Sequence, residues 1–388
     1  MFDKIYEPQE ESFMLREQVR KYAKSRVLDM GTGTGIQAEA AKECPNVTEV
    51  LGVDLNPKAV HYVLRKLGIQ AVKSDLFAKV KGRWDTIIFN APYLPEDLRE
   101  KKDEHSMAVC GGKHGYELIE RFFDQVSEHL AEDGIILLLF SSLTNKGMVD
   151  KIIEDRLFRS KLLVDKRYFF ENVYIYLVRK TDLLNQLESH DLRKIKFTAK
   201  GKRGVVYRAD YLGRGAAVKI ERPDTKAVER IKNEIFWLKE LNMHGIGPEL
   251  YFSDTNWFVM DFIEGELIHD FLKKASKKHI VRVLDSLLNM MFELDKLKIN
   301  KEEMNHPHKH IIIDRHMQPV LIDFEKAAKT ANPKNISQFV QFLISKSTDS
   351  ILREKRIQIN RAGIIENVRL YKKNPDIESF QMILDEIK

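Results

Sequence analysis

Val27-Leu28-Asp29-Met30-Gly31-Thr32-Gly33-Thr34-Gly35 is the stretch that decides the fold. A short apolar run of strand character passes into glycines at alternate positions, and IQAEAAKE (36–43) follows with helical spacing. Glycines between a strand and a helix allow a tight turn and a close approach of backbone to ligand. Working outward, VLGVDL (50–55), TIIFN (86–90), IILLLF (135–140) and VYIYLV (173–178) read as strands, with a further one before Ser74-Asp75. KAVHYVLRKL (58–67) and YELIERFFDQVSEHLA (116–131) carry helical spacing, and EPQEESFMLREQVRKYAK (7–24) predicts a leading helix. Such alternation predicts an α/β domain with a mostly parallel sheet covered on both faces.

The chain has 388 residues, more than one ordinary core accommodates, so two domains are expected. TDLLNQLESHDLRK (181–194) is polar and predicts a connecting helix, which divides the chain into 1–181, a linker helix at 182–194 and 195–388. A net charge of +6 is compatible with an RNA- or ribosome-linked partner without arguing for one. Cys44 and Cys110 are far apart and lack CxxC spacing, which speaks against a disulfide framework or structural zinc and for a reducing, cytoplasmic compartment. No apolar run approaches a membrane span, and the N-terminus lacks a signal-peptide core.

Three strand ends carry polar groups in order: the Gly31/Gly33/Gly35 turn beside Asp29, then Asp54, then Asp75-Leu76. Asp54 is placed to accept both hydroxyls of a ribose, and Asp75 to meet an adenine amino group. The GxGxG spacing differs from the dinucleotide GxGxxG, which fits a nucleoside cofactor without a pyrophosphate. The arrangement resembles the class I methyltransferases, with a Rossmann-like seven-stranded sheet. The resemblance implies S-adenosylmethionine, with Asp29 and Gly31 near its methionine part and Asp54 on its ribose.

Asn90-Ala91-Pro92-Tyr93 follows the next strand and looks like the (N/D)PPY motif of amino-methyltransferases, with Ala for the first Pro. The lone pair of an amide or aromatic NH2 is delocalised, so the nitrogen is a weak nucleophile. Acceptors on the Asn90 side chain and the Ala91 carbonyl can hold its two hydrogens, and the Tyr93 ring can stack on the planar group. The motif alone leaves glutamine, adenine and guanine open. Tyr6-Glu7-Pro8-Gln9-Glu10-Glu11-Ser12-Phe13 and the 108–122 segment AVCGGKHGYELIERF resemble the YEPxEDxF and GGxxGxExxxRF segments of the HemK/PrmC family. That resemblance, to the short archaeal and eukaryotic form, implies methylation of the GGQ glutamine of class I peptide-release factors. It also implies Ser12 at the cofactor and a small zinc-binding activator protein as partner. An rRNA, tRNA or DNA base remains the alternative substrate.

The second half reads differently. Ala199-Lys200-Gly201-Lys202-Arg203-Gly204-Val205-Val206 matches the kinase glycine loop with Ala for its first Gly. In order follow Ala217-Val218-Lys219, Glu234 as ion-pair partner, a hinge-like Val259-Met260-Asp261-Phe262, and Asp323-Phe324-Glu325 in place of DFG. This resembles RIO-type and other atypical kinases: an α+β bilobal domain with lobes at 195–264 and 265–388, binding ATP, with Mg2+ on Asp323. The catalytic loop departs from the pattern. Asn305 stands where the base Asp belongs and His310 where the metal-binding Asn belongs. A pseudokinase scaffold or ATP sensor is therefore the alternative. The Tyr168-Phe169-Phe170 run is expected to be core or strand packing rather than a stacking platform.

Overall fold

The computed structural model describes residues 5, 7–95, 110–201, 204–221 and 228–387. The chain divides into two compact units, residues 1–197 with 209–212, and residues 198–208 with 213–388. No helix of the described residues is long and apolar enough to cross a membrane.

In the first unit, helix α1 (Glu10–Tyr22) leads into β1 (Ser25–Met30), α2 (Ile36–Lys42), β2 (Val47–Asp54), α3 (Pro57–Tyr62) and β3 (Gln70–Lys73). Then come β4 (Trp84–Asn90), α4 (Glu117–Phe123), β5 (Leu130–Ser141), α5 (Lys146–Asp155), β6 (Phe158–Arg167), β7 (Asn172–Lys180) and α6 (Asp182–Ser189). The seven-stranded sheet has the order β3-β2-β1-β4-β5-β7-β6. The first five strands are parallel, and β7 and β6 close the sheet antiparallel. Strand order reverses between β1 and β4, and a ligand crevice belongs at the carboxyl ends of the strands there. Register brings Met30, Val53 and Phe89 level, so the loops after β1, β2 and β4 open on one edge. Leu15 and Val19 of α1 and Ala40 and Ala41 of α2 cover one face over Val27, Ile88 and Leu137. On α4, Phe122 stacks on Phe89 of β4 at 4.6 Å between ring centroids.

Three differences from the sequence reading have local causes. The helix expected over 116–131 stops at Phe123, a 3-10 turn covers Val126–Glu128, and β5 begins at Leu130. Leu130 is paired with Trp84 in the sheet ladder, and burial of the apolar run that follows outweighs helical periodicity. Strand β6 was not anticipated because it is an edge strand, exposed along most of its length, without the alternation of a half-buried strand. The helix expected over 182–194 ends at Ser189; Asp191 takes φ 61° and a strand starts at Leu192.

A second sheet is built on β8 (Leu192–Lys200), β9 (Gly204–Tyr211), β10 (Arg214–Glu221), β11 (Leu250–Ser253) and β12 (Trp257–Asp261). They form a five-stranded sheet in the order β8-β9-β10-β12-β11, with α7 (Val228–Asn242) between β10 and β11 in the chain. A mostly helical part follows, held by α8 (Ile268–Lys274), α9 (Lys277–Lys296) and α10 (Asn335–Leu343). Ile280, Val283, Leu284, Leu287, Leu288 and Met291 form a fully buried stripe on α9 at helical spacing. A three-stranded sheet of Gly265–Leu267, Ile311–Asp314 and Pro319–Leu321 presents the segment that carries Asp323.

Candidate active site

The carboxyl edge of the first sheet holds a cavity of about 370 Å³. Ser12, Gly31, Thr32, Gly33, Asp54, Asn56, Asp75, Leu76, Asn90, Ala91, Pro92 and Tyr93 line it. The glycine turn is held from below. Asp29 is 2% exposed, and its carboxylate accepts from Thr32 Oγ1 (2.7 Å) and the Ala38 amide (3.2 Å). Burial pushes the Asp29 pKa up to about 7 against these hydrogen bonds. Asp29 thus anchors the turn and does not line the cavity, unlike the expected place beside the cofactor. Gly35 is also absent from the lining. Its φ is 80°, which favours glycine, and a Cβ there would also crowd the Leu67 Cδ1 methyl at 2.4 Å. At Gly31 a Cβ would meet nothing within 4 Å, so only the φ of 71° asks for glycine.

At the end of β2, Asp54 receives the Gly33 amide at 2.9 Å on one oxygen and the Asn56 amide at 2.8 Å on the other. Burial raises its pKa while these donors oppose the shift. Asp75 is half exposed, and its carboxylate takes Arg121 Nη2 at 2.7 Å. Arg121 also lines the cavity, a role the sequence reading did not assign although the residue lies in the quoted 108–122 segment. Leu76 is 6% exposed and holds φ 46°, a left-handed non-glycine of the kind that gathers at binding sites. Thr32, Thr34 and Asn56 are further lining residues missed from sequence, and nothing local in their identity singled them out.

Asn90 ends β4, and its Nδ2 reaches Ser12 Oγ at 3.5 Å. Ser12 is 1% exposed in the first turn of α1, and its carbonyl accepts from Gln37 Nε2 at 2.8 Å. It faces the cavity, while Gln9 occupies the N-cap without capping the helix through its side chain, which donates to Glu7 O at 3.3 Å. Tyr6 lies outside the described residues. The Ala91 amide donates to Leu139 O at 3.2 Å, so the loop leaves the sheet only after residue 91. Thr144 Oγ1 holds the Tyr93 carbonyl at 3.4 Å. Burial, with Glu171, Glu11 and Tyr168 nearby, keeps the Tyr93 phenol protonated far above its usual range. The double glycine packs behind this loop: a Cβ on Gly111 would lie 2.5 Å from Pro92 O and 2.1 Å from Gly115 O. Glu117 closes the turn by accepting the His114 amide at 3.0 Å.

A family profile described as Methyltransferase small domain matches residues 10–169. A Methanocaldococcus jannaschii protein, named as a candidate protein N5-glutamine methyltransferase, is 36% identical over 155 residues, 38% of this chain and 78% of that protein. This chain belongs to the HemK-type methyltransferases. It is an S-adenosylmethionine-dependent methyltransferase, and the family match lies in its first unit. The release factor glutamine methyltransferase of Deinococcus radiodurans, another HemK-type relative, is 31% identical over 31% of this chain, which spans about half of it, 48%. A solved complex of E. cuniculi Mtq2 with Trm112 aligns with 46% of the chain and 99% of its own at 29% identity, with a TM-score of 0.38.

The second unit gathers charged side chains around Lys219. Lys219 Nζ lies 2.6 Å from Glu234 Oε2 and 3.5 Å from Asp323 Oδ1. Burial pulls the Lys219 pKa down, but Glu234 and Asp323 outweigh it and keep the ammonium charged. Gly201 N donates to Gly204 O at 2.9 Å, and a Cβ on Gly204 would stand 3.7 Å from Lys219 Cε. Residues 202 and 203 lie outside the described residues. Val206 is half-buried in β9. Asp261 is not brought to this cluster: it pairs with Ala216 at the far end of the ladder from Lys219 and accepts from Tyr251 Oη. Asp323, at φ 64°, lies 3.8 Å from His310 Nδ1, and His310 Nε2 is 3.4 Å from Glu303. The carboxylates beside His310 are thus those of Glu303 and Asp323, whereas Asn305 offers an amide. No group of three or more His, Cys, Asp or Glu among the described residues is arranged to hold a metal ion.

Proposed function

We propose that the first unit methylates the side-chain amide nitrogen of a glutamine in a class I peptide-release factor. The observation that carries this reading is Asn90 at the end of β4, its Nδ2 turned to Ser12. That orientation leaves Oδ1 as acceptor for one amide hydrogen, with the Ala91 carbonyl for the other. The cavity suits the cofactor: Asp54 keeps acceptor capacity for ribose hydroxyls beyond the backbone amides it receives, and the glycine turn lets backbone come close to the methionine part. Bound there, S-adenosylmethionine supplies an electrophilic methyl group. Asn90 and Ala91 orient the nitrogen and stabilise the positive charge that grows on it; the nitrogen loses a proton as it gains the methyl, so no strong base is needed beforehand. The Tyr93 phenol stays neutral and offers its ring to the planar amide. The experiment is methyl transfer from labelled cofactor to a GGQ-containing release factor and, separately, to rRNA and DNA. Label on nucleic acid alone defeats the reading. The small activator protein implied by the resemblance is tested in the same assay, by adding such a protein and reading the rate.

For the second unit we propose ATP binding by a kinase-like domain. The Lys219–Glu234 pair beneath Gly204, with Asp323 beside it, supports this, as does the β8-β9-β10-β12-β11 order. Lys219 would hold phosphates and Asp323 Mg2+. Asn305 cannot accept a proton as a carboxylate does, which favours a pseudokinase or ATP sensor over an efficient kinase. Equilibrium ATP binding and autophosphorylation, with Lys219→Ala as control, separate the two.

A further inference from the structure

The hairpin between β6 and β7 carries a feature that the methyl-transfer site does not use. Phe169 and Phe170 are 93% and 87% exposed at its tip, so the aromatic run expected as packing is only partly so. Tyr168 packs against the same core as Met14 of α1 and Tyr93, while its two neighbours point into solvent. An adjacent pair of almost fully exposed Phe side chains is uncommon enough to call for a function.

The tip sits on the working edge of the sheet. Strand β7 starts there, with Val173 paired to Ser141 at the end of β5, and β5 pairs with Asn90 through Leu139. The tip is fastened to that edge. Tyr168 N donates to Glu171 O at 2.7 Å, and Asn172 N donates to Ser142 Oγ at 3.0 Å. Asn172 Nδ2 also reaches Asp165 at 3.1 Å, and Tyr168 Oη reaches Met14 Sδ at 3.9 Å. The rings pack edge to face, 4.7 Å apart at 81°. Such a braced pair loses little conformational entropy on binding.

A glutamine side chain is short, so a protein that inserts one must bring its own backbone and the flanking residues to the cavity mouth. Tyr168 and Glu171 of this tip neighbour Tyr93, which lines the cavity. We propose that Phe169 and Phe170 are a docking surface for the protein substrate, receiving apolar side chains that flank its target glutamine. The proposal rests on the glutamine reading above and adds to it a site of recognition outside the pocket. A protein is favoured over a nucleic acid because the exposed groups of the tip are apolar rings and the charges flanking them, Asp165 and Glu171 against Lys166 and Arg167, balance, so they make no basic stripe for a phosphodiester backbone. The crossed rings also offer no pair of parallel faces for bases.

The test uses the full chain and its F169A/F170A double variant. Steady-state methylation is measured on a folded GGQ-containing release factor and on a short GGQ peptide, with S-adenosylhomocysteine affinity measured in parallel. The expected result is a rise in KM for the folded protein of roughly tenfold to a hundredfold. The kcat, the rate on the peptide and the cofactor affinity stay unchanged, and F169L/F170L recovers most of the loss. An unchanged KM for the folded protein overturns the proposal, and so does an equal loss on protein and peptide. A loss seen only when an activator protein is added assigns the surface to that protein instead and also overturns it. If the wild-type chain labels only RNA, the glutamine reading itself has failed, an outcome distinct from a wild type that labels the release factor and a variant that does so equally well.

Discussion

The edge of the first sheet and the charged cluster of the second unit both set a glycine turn beside carboxylates, yet they are built on opposite principles. Around Asp54 the structural donors are the backbone amides of Gly33, Leu55 and Asn56, so the carboxylate keeps acceptor capacity and faces an open cavity. Around Lys219 the partners are side-chain ions: Glu234 at 2% exposure, and Asp323. A site shaped by backbone is most sensitive to added atoms. One shaped by ions is most sensitive to the loss of a single charge, because the partner left behind is buried and unpaired.

Lys219→Met should have the largest effect on stability, about 3–5 kcal/mol for the second unit, since it strands Glu234. Pairing it with Glu234→Leu should recover most of that loss in a denaturant melt; an additive double variant would show that the pair is not the source. Asn90→Ala should slow methyl transfer by about 10²–10³-fold while cofactor affinity, read by calorimetry, changes little. Equal loss of binding would mean that Asn90 holds the cofactor rather than the amide. Gly35→Val should cost about 1–3 kcal/mol in a denaturant melt, because φ is left-handed there and the added Cβ crowds the Leu67 side chain. Gly31→Ala, with free space and only φ against it, should cost about 1 kcal/mol.

The pH responses should run in opposite senses. Asp29 has a folded pKa of about 7, above the ordinary value of 3.8, so the folded state binds the extra proton between them. The stability of the first unit should therefore fall across that window as pH rises, by at most about 1.4 kcal/mol per unit, and Asp29→Asn should flatten the slope. Lys301 is 2% exposed, and burial lowers its pKa from 10.5 to about 8. There the unfolded chain holds the extra proton, so the second unit should gain stability between those values as pH rises, and Lys301→Met should remove the gain. Urea melts at closely spaced pH values check both.

What could be read from sequence was what depends on near neighbours. A strand passing into alternate glycines allows few backbone paths, and Asp54, Asp75 and Asn90 stand out because a polar group at the end of a buried strand needs a reason. The edge strand β6 escaped notice because charges interrupt its alternation. Arg121 was visible only as part of a family segment, since its meeting with Asp75 joins residues from separate elements. Gly111 could be seen as a glycine but not as the residue that lets a loop pack on Pro92.

The sequence by itself determined the strand–turn–helix unit, the alternation behind the parallel sheet, and the order in which polar groups reach its edge, because these follow from backbone sterics and hydrophobic periodicity within a few residues. Only the tertiary structure decided that Asp29 is consumed beneath its turn while Asp54 lines the cavity, that Glu303 and Asp323 are the acidic neighbours of His310, and that Phe169 and Phe170 stand in solvent at the tip of a hairpin. The exposure and remaining hydrogen-bond capacity of a side chain are set by the distant segments that fold against it, and no local pattern encodes which of them will arrive.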